Sequence, residues 1–401
     1  MEAKKRVLVF VPEFPVLSET FIERELSKLV ERGNIDLTVF ALKRGTGYIS
    51  ENLVPRVYYK RLGISDVLGI IQYIFSNFSK VTKAYKNIGE GPHNKTFLLL
   101  KSIGYSLKFE DFYPDLILAH FLSESSTIVM ITSKLLDTPF AISAHAKDVT
   151  VTHEYVREKV EQAKFITVCN KAAYYFLQTL LKGKSFENIY LNHHGVDVSR
   201  VTKISLQGVE KPTETLLLAA GRLTEKKGFT YLIEAANILK KRNVSFVCYI
   251  IGFGPLYKEL NKQISDLELV ENVKIIGDEK GISNSNEKIL KAMKICDVFA
   301  FPSIETNEGD FDGVATLLIE AGVMAKPIVA TDAGSTVEFI LDKETGLIVP
   351  QKQPEALAVA IQTLIKDRDM AVALGENAYE KVLKDFDLDK NIVKLEELLI
   401  K

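Results

Sequence analysis

The sequence predicts an α/β protein of two doubly wound, Rossmann-like domains, each a parallel sheet wrapped by helices. Three observations carry that expectation. Short apolar runs alternate along the chain with stretches of helical, 3.6-residue periodicity, the pattern of strands joined by crossover helices. Eleven such runs are present, more than one twisted sheet comfortably holds. Glycines come after several of the runs, at Gly221, Gly252, Gly254 and Gly334, where a strand turns tightly into a helix.

In chain order, the first strand is expected over residues 6–11. Thr20 with Glu23 predicts a capping box for the next helix, which Gly33 ends. Strands are expected next over 36–41, 115–119, 139–144 and 165–168. The polar stretch 199–213, ending in Lys211-Pro212, marks a boundary, so domains are expected over 1–200 and 201–380. The second holds strands over 216–220, 246–251, 273–276, 297–301, 327–330 and 346–349. A helix from near Gly313 to near Ala325 comes after the fourth of these. The last segment, 381–401, ends in an amphipathic helix over 387–401 with Ile392, Val393, Leu395, Leu398 and Leu399 apolar.

Composition narrows the function classes. With 401 residues, 47% hydrophobic, and a net charge of −1, the chain buries large cores and is not expected to bind nucleic acid. No apolar run reaches the ~18 residues of a membrane span. The N-terminal apolar run is too short for a signal peptide. Cys169, Cys248 and Cys296 have no metal-like spacing and read as reduced core thiols. A cytoplasmic protein is the expectation. Charge is uneven: residues 1–200 hold 26 Lys/Arg against 21 Asp/Glu, and the remainder 25 against 31. Residues 56–108 carry nine bases, among them Lys80, Lys83 and Lys86, and two acids, interleaved with Ile70, Ile71, Ile74 and Phe75. Two readings of this stretch stand side by side: contact with an anionic membrane surface, and a core helix with a solvated basic face.

The chemistry-bearing residues gather at the expected strand ends. Gly221-Arg222 and Lys227-Gly228 lie between a strand and a helix, where a guanidinium fork and an ammonium would clamp a diphosphate. Asp312 and Glu320 would stand about 80° apart if one helix carried both. Acids there suit sugar hydroxyls. Gly252 and the turn Gly334-Ser335-Thr336 let a ligand approach free backbone N–H groups. In the first half, Ser18 and Glu19 come after the first strand, and His120 and His145 after two others. For Ser18, Glu19 and both histidines, a purely structural role stands beside the functional one. His193-His194 has no third metal ligand at a suitable spacing. Asp310-Phe311-Asp312 has the form of a divalent-ion motif, but Arg222 and Lys227 stand ready to neutralise a diphosphate, so no metal is expected.

Taken together, GRLTEKKG, IIGFGP, the Asp312-to-Glu320 spacing with EAGVMAKPIVAT, GSTVEF and TGLIV resemble the retaining glycosyltransferases of family 4. FPVLSETFIERE, AHF and PFAISAHAKD resemble their exopolysaccharide and colanic-acid-like branch. The resemblance covers nearly the whole chain. It implies the GT-B fold: two domains facing across a cleft that closes on the donor, with the C-terminal helix crossing back to the first. It implies no cofactor beyond a nucleotide-diphosphate sugar, UDP- or GDP-linked, as substrate. It implies a glycan or lipid-linked acceptor, transfer without a metal, and a place on the inner face of the membrane. Arg222 and Lys227 would bind the diphosphate, Glu320 the ribose, and Asp312 and His145 the transferred sugar. Gly221, Gly252, Gly313, Gly334 and Ser335 would line the donor, with Ser18 and Glu19 near the diphosphate. Two positions depart from the family: Asp312 replaces its usual Glu, and Ala315 its usual Pro. A non-catalytic donor-binding partner and a sugar-nucleotide epimerase are the alternatives. Oligomeric state is not readable.

Overall fold

The computed structural model describes residues 4–17, 19–89, 91, 93–151, 154–182, 186–279 and 286–401. The chain divides into two compact units: residues up to His194 together with Asp389–Lys401, and Gly195–Leu388.

The first unit is a seven-stranded parallel sheet in the order β3-β2-β1-β4-β5-β6-β7. Its strands are β1 Lys5–Phe14, β2 Ile35–Arg44, β3 Val57–Tyr59, β4 Leu116–His120, β5 Phe140–Ala144, β6 Ile166–Val168 and β7 Ile189–Leu191. Strand order reverses between β1 and β4, so the loops after these strands meet at the ligand end of the sheet. Helices α1 (Thr20–Arg32), α2 (Val67–Ser76), α3 (Phe78–Lys86), α4 (Lys95–Glu110), α5 (Glu124–Leu136) and α6 (Ala146–Val151) join them. Phe10 and Phe40 pack with Tyr105 and Phe109 of α4, ring centroids 5.1–6.1 Å apart. The final helix, Leu388–Ile400, returns to this unit, where Glu396 meets Arg32 at 2.8 Å.

The second unit holds six parallel strands in the order β10-β9-β8-β11-β12-β13. They are β8 Thr215–Ala220, β9 Phe246–Ile251, β10 Val273–Ile276, β11 Val298–Phe301, β12 Ile328–Thr331 and β13 Leu347–Val349. Alternation places Leu217 and Ala219 of β8 in one core and Leu216, Leu218 and Ala220 in the other, as a sheet covered on both faces requires. The reversal here lies between β8 and β11. Gly195 begins the unit because Val196 pairs with Asp387 as a parallel bridge.

All eleven expected strands are present. Two others, β3 and β7, are three-residue edge strands. Pairing with the neighbouring strand, not hydrophobic pattern, makes them. The capping box does not form: the helix starts at Thr20, so Glu19 occupies the cap position, and Glu23 accepts hydrogen bonds from the backbone and hydroxyl of Ser50. Gly33 ends α1 with φ 69°, as expected.

Candidate active site

In the second unit the site forms at the reversal between β8 and β11. Gly221 and Gly228 take φ 150° and 62°. A Cβ on Gly228 would stand 1.9 Å from the carbonyl oxygen of Pro302, and one on Gly252 would stand 1.9 Å from that of Gly221. The loops after β8, β9 and β11 therefore touch backbone to backbone, an approach only glycine permits. The stem of Lys227 lies against Gly221, 3.3 Å from the place a Cβ would take.

This packing brings the expected charges together. Lys227 Nζ lies 2.7 Å from Asp312 Oδ2 and 5.2 Å from the centre of the Phe301 ring. Lys226, not singled out from the sequence, holds Asp310 at 3.1 Å and Asp312 at 3.7 Å. Two lysines already balance the Asp310/Asp312 pair. Arg222 is exposed at the start of the loop that carries both lysines.

The helix carrying Glu320 runs Thr316–Val323, starting later than expected. Ala315 is extended at φ −69°, ψ 131°, and Asp312 and Gly313 lie in the preceding loop. The 80° offset thus does not describe their relation. The loop is instead pinned by Ser335 N–H, which donates to the Asp312 carbonyl at 3.2 Å. Gly334, at φ 57°, permits this: a Cβ would stand 2.4 Å from that carbonyl. Glu320 is 1% exposed, with Arg200 Nη2 at 3.8 Å. The expectation of free N–H groups after Gly334 is corrected: those of Ser335 and Thr336 donate to Asp312 and Ala333. What the turn offers is the buried hydroxyls of Ser335 and Thr336, which have no protein partner, as do those of Thr224 and Ser303.

In the first unit, Ser18 lies outside the described residues. The Glu19 carboxyl is pushed up by burial and by the charge of Glu13. The main feature is a chain of imidazoles. Glu25 Oε1 lies 2.8 Å from His194 Nδ1, His194 Nε2 3.0 Å from His145 Nδ1, and His145 Nε2 3.3 Å from His120 Nδ1. The rings stack at 23° and 6°, and Phe21 stacks on His194 at 4.0 Å. Asp148 on α6 accepts from His145 N–H at 2.8 Å and from Leu122 N–H, fixing the β5 turn. Burial raises its carboxyl to about 7 against those hydrogen bonds. Burial and the neighbouring His194 charge push His120 down to about 3 and His145 well below the ordinary range. Burial would lower His194 too, but Glu25 and Cys169 outweigh it, to about 10.

Both ring nitrogens of His145 are thus engaged. Cys169 is not a core thiol: it is partly exposed and lies with His145 and His194, ligand atoms within 4.8 Å of one another. The third ligand that sequence spacing denied to His194 is supplied by the fold. Cys248 and Cys296 are buried as expected, and burial pushes both thiols up to about 12. Sequence reasoning does not find Glu25 and His194 as site residues. Glu25 reads as one more polar position on an amphipathic helix, and only the meeting of α1 with the segment after β7 reveals it.

The chain is similar to known proteins. Residues 201–381 match the family described as glycosyl transferases group 1. The chain is 24% identical to the amylovoran biosynthesis glycosyltransferase AmsK of Erwinia amylovora, covering 98% of this chain and 99% of that protein. It is 26% identical to the putative colanic acid biosynthesis glycosyltransferase WcaL of Escherichia coli, covering 95% and 96%. Among solved structures, a Rickettsia africae glycosyltransferase aligns with TM-score 0.70 at 16% identity, covering 99% and 98%. Anabaena Alr3699/HepE in complex with UDP aligns with TM-score 0.68 at 17% identity, covering 98% and 99%. These alignments show the shared GT-B fold.

Proposed function

We propose that this chain, a glycosyltransferase of group 1, moves a hexose from a nucleotide-diphosphate sugar to a glycan or lipid-linked acceptor of a surface polysaccharide, with retention and without a metal. The observation that carries the reading is the cationic cluster at the reversal of the second sheet, Arg222, Lys226 and Lys227 around Asp310 and Asp312. A diphosphate carries more charge than Asp312, so it draws Lys227 away. Lys226 remains close to both acids, and Asp312 is released toward the sugar hydroxyls. Arg222 completes the clamp and stabilises the charge that develops on the leaving diphosphate. Glu320, buried beside Arg200, binds the ribose hydroxyls. The partnerless hydroxyls of Ser335 and Thr336 supply donors to the ligand. The names of the relatives, amylovoran and colanic acid biosynthesis, favour a surface-polysaccharide acceptor. The HepE complexes with UDP and UDP-glucose favour a nucleotide-diphosphate sugar as donor.

Metal-free transfer is the reading that charge balance favours: lysines occupy the carboxylates that would otherwise hold the ion. No enzyme carboxylate stands as a nucleophile in this reading, so the acceptor attacks from the leaving-group side and its proton passes to the diphosphate. The first unit adds an exposed face for a lipid-linked acceptor. Ile64, Leu68, Phe75 and Phe78 are 93, 75, 80 and 68% exposed, with Lys83 and Lys86 exposed on α3. Ile70 and Ile74 pack on the core instead. No helix among the described residues is long and apolar enough to cross a membrane. Attachment through this face is peripheral, on the cytoplasmic side where nucleotide sugars are supplied.

The test is a thermal-shift panel of UDP- and GDP-sugars, then transfer from the best ligand with and without EDTA. A ligand at ~100 times its dissociation constant adds about 2.7 kcal/mol. Retention of the donor's anomeric configuration in the product, read by NMR, and unchanged turnover in EDTA are expected. Loss of turnover in EDTA with rescue by magnesium or manganese overturns the metal-free mechanism.

A further inference from the structure

Three adjacent strands of the first sheet lead into metal-ligating side chains. Ala144 of β5 pairs with Val168 of β6, and Val168 with Leu191 of β7. His145 and Cys169 are the next residues after β5 and β6, so the register sets them side by side, and His194 follows β7 closely. Neighbouring strands run roughly 4.8 Å apart. The sulfur of Cys169 and one nitrogen of each ring lie within 4.8 Å of one another, and His145 Nδ1 is 3.0 Å from His194 Nε2. In a tetrahedral zinc site, bonds of about 2.0–2.1 Å to nitrogen and about 2.3 Å to sulfur space two nitrogens by about 3.3–3.4 Å and nitrogen from sulfur by about 3.6 Å. Both spacings fall between the two observed distances, so small side-chain rotations close the three donors on one ion.

We propose that His145, Cys169 and His194 form a binding site for a zinc-class ion, and that the bound ion inhibits transfer. The inhibitory part rests on the transferase reading, in which His145 serves the transferred sugar. Two imidazoles and a thiolate are borderline-soft ligands, which suit zinc or copper and not magnesium or calcium. Glu25 is 5% exposed and lies 2.8 Å from His194 Nδ1. His194 can therefore donate that proton to the carboxylate and offer Nε2 to the ion, the usual arrangement of a metal-bound histidine. His145 likewise offers Nδ1 and turns Nε2 to His120 Nδ1 at 3.3 Å. Charge closes as well: the two positive charges of the ion meet the Cys169 thiolate and the Glu25 carboxylate, with both imidazoles neutral. Asp148 is no ligand, since its carboxylate accepts from the N–H groups of His145 and Leu122.

Three protein ligands leave a fourth position open, as in sites that exchange ligands. Cys169 and His194 are partly exposed, whereas His145 is buried. The ion therefore enters past the thiol, whose proton leaves to solvent as the bond to sulfur forms. Held through Nδ1, the His145 ring can no longer turn to follow a sugar, and the ion with its fourth ligand fills the strand end. Zinc thus opposes a transfer whose own chemistry at the diphosphate needs no metal.

The test titrates the full-length, reduced and chelator-treated protein with zinc chloride by calorimetry, with magnesium chloride as the hard-ion control. Stoichiometric zinc binding and no comparable magnesium binding are expected. Cobalt(II) in place of zinc should give the intense visible bands of a tetrahedral ion and a thiolate-to-cobalt charge-transfer band in the near ultraviolet. Glu25→Gln should weaken zinc by about 10-fold to 100-fold, the cost of losing a ligand's hydrogen-bond partner, and Cys169→Ser, which loses a ligand, by about 100-fold or more. Cys169→Ser should also lack the charge-transfer band while keeping the wild-type urea midpoint. Wild-type transfer should be lost in proportion to zinc occupancy and return on adding EDTA, and transfer by Cys169→Ser should not respond to zinc over that range. No stoichiometric zinc, a cobalt spectrum without the thiolate band, or equal zinc affinity in Cys169→Ser overturns the site. Bound zinc that leaves transfer unchanged or raises it overturns the inhibition. The binding readouts need no substrate, so they decide the site even where the transferase reading fails.

Discussion

In the second unit the ionisable groups of the site meet as ion pairs on loops. Lys226, Lys227, Asp310 and Asp312 are partly exposed, and each pairing is open to exchange when a ligand arrives. In the first unit the groups meet as a stack of rings at buried strand ends, joined by hydrogen bonds before any ligand binds. One site is held by glycines that let backbones touch; the other is held by side chains that use nearly every polar atom. A loop site built this way tolerates charge rearrangement, whereas a buried polar chain works only as a whole.

The sharpest break of that contrast is at the clamp. Arg222→Ala and Lys227→Ala should each lower transfer by about 2.7–4 kcal/mol of transition-state stabilisation, with the fold intact. In Lys227→Ala, Lys226 still faces Asp312, so donor binding should suffer less than turnover. Near-normal turnover by either variant would remove the second unit's site from the reaction.

The glycine contacts predict the next effect. In Gly228→Ala, the new Cβ meets the Pro302 carbonyl at 1.9 Å, at a positive φ. Overpacking of this kind costs about 1–3 kcal/mol, and the β8 and β11 loops should separate. A lower urea midpoint together with loss of nucleotide binding is expected; wild-type stability would show that the loops do not need their close approach.

These two sites differ in how far the sequence reveals them. The second unit's residues lie in four local motifs, each read from glycine and charge within one loop. Geometry is what those motifs do not carry: the 80° offset assumes a helix at Asp312, but the hydrogen bond from Ser335 holds that residue in a loop. The first unit's chain draws Glu25, His120, His145 and His194 from four separate places. No spacing connects them, because β4 and β5 become neighbours only through sheet order, and α1 reaches His194 only after folding. The strands are legible since burial on both faces leaves uninterrupted apolar runs; β3 and β7, at the edges, lack that signal.

A third prediction sharpens the contrast through pH. His194 is raised from the ordinary 6.5 to about 10 in the folded protein. A group whose folded value is raised binds more protons folded than unfolded between those limits. Its stabilisation is full below about 6.5 and is lost as pH rises through about 10. Urea midpoints of the wild type should therefore fall between pH 6.5 and 10 more steeply than those of Glu25→Gln, whose His194 has lost its partner charge. Parallel curves would mean that Glu25 does not hold the proton on the chain.

The smallest effect expected is at the membrane, and it asks whether the first unit carries an acceptor surface as well as a chain of histidines. On α2 the apolar residues split: Ile70 and Ile74 turn to the core, while Leu68, Ile71 and Phe75 remain exposed. Ile64 before it and Phe78 after it extend the exposed face. Lys80 is held by Asp137 at 2.6 Å, so it is the less informative base to change. Lys83 and Lys86, exposed on α3, are better probes. Anionic headgroups attract a surface lysine by about 1 kcal/mol, so Lys83→Glu/Lys86→Glu should weaken binding to anionic vesicles by tenfold or more, using about 1.4 kcal/mol per decade. Leu68→Ser/Phe75→Ser should weaken it without altering its salt dependence, because insertion is not screened. Co-sedimentation across a salt series separates the two contributions. Equal binding to neutral and anionic vesicles would leave the lysines without a role, and no binding at low salt would return α2 and α3 to a solvated face and favour a water-soluble acceptor.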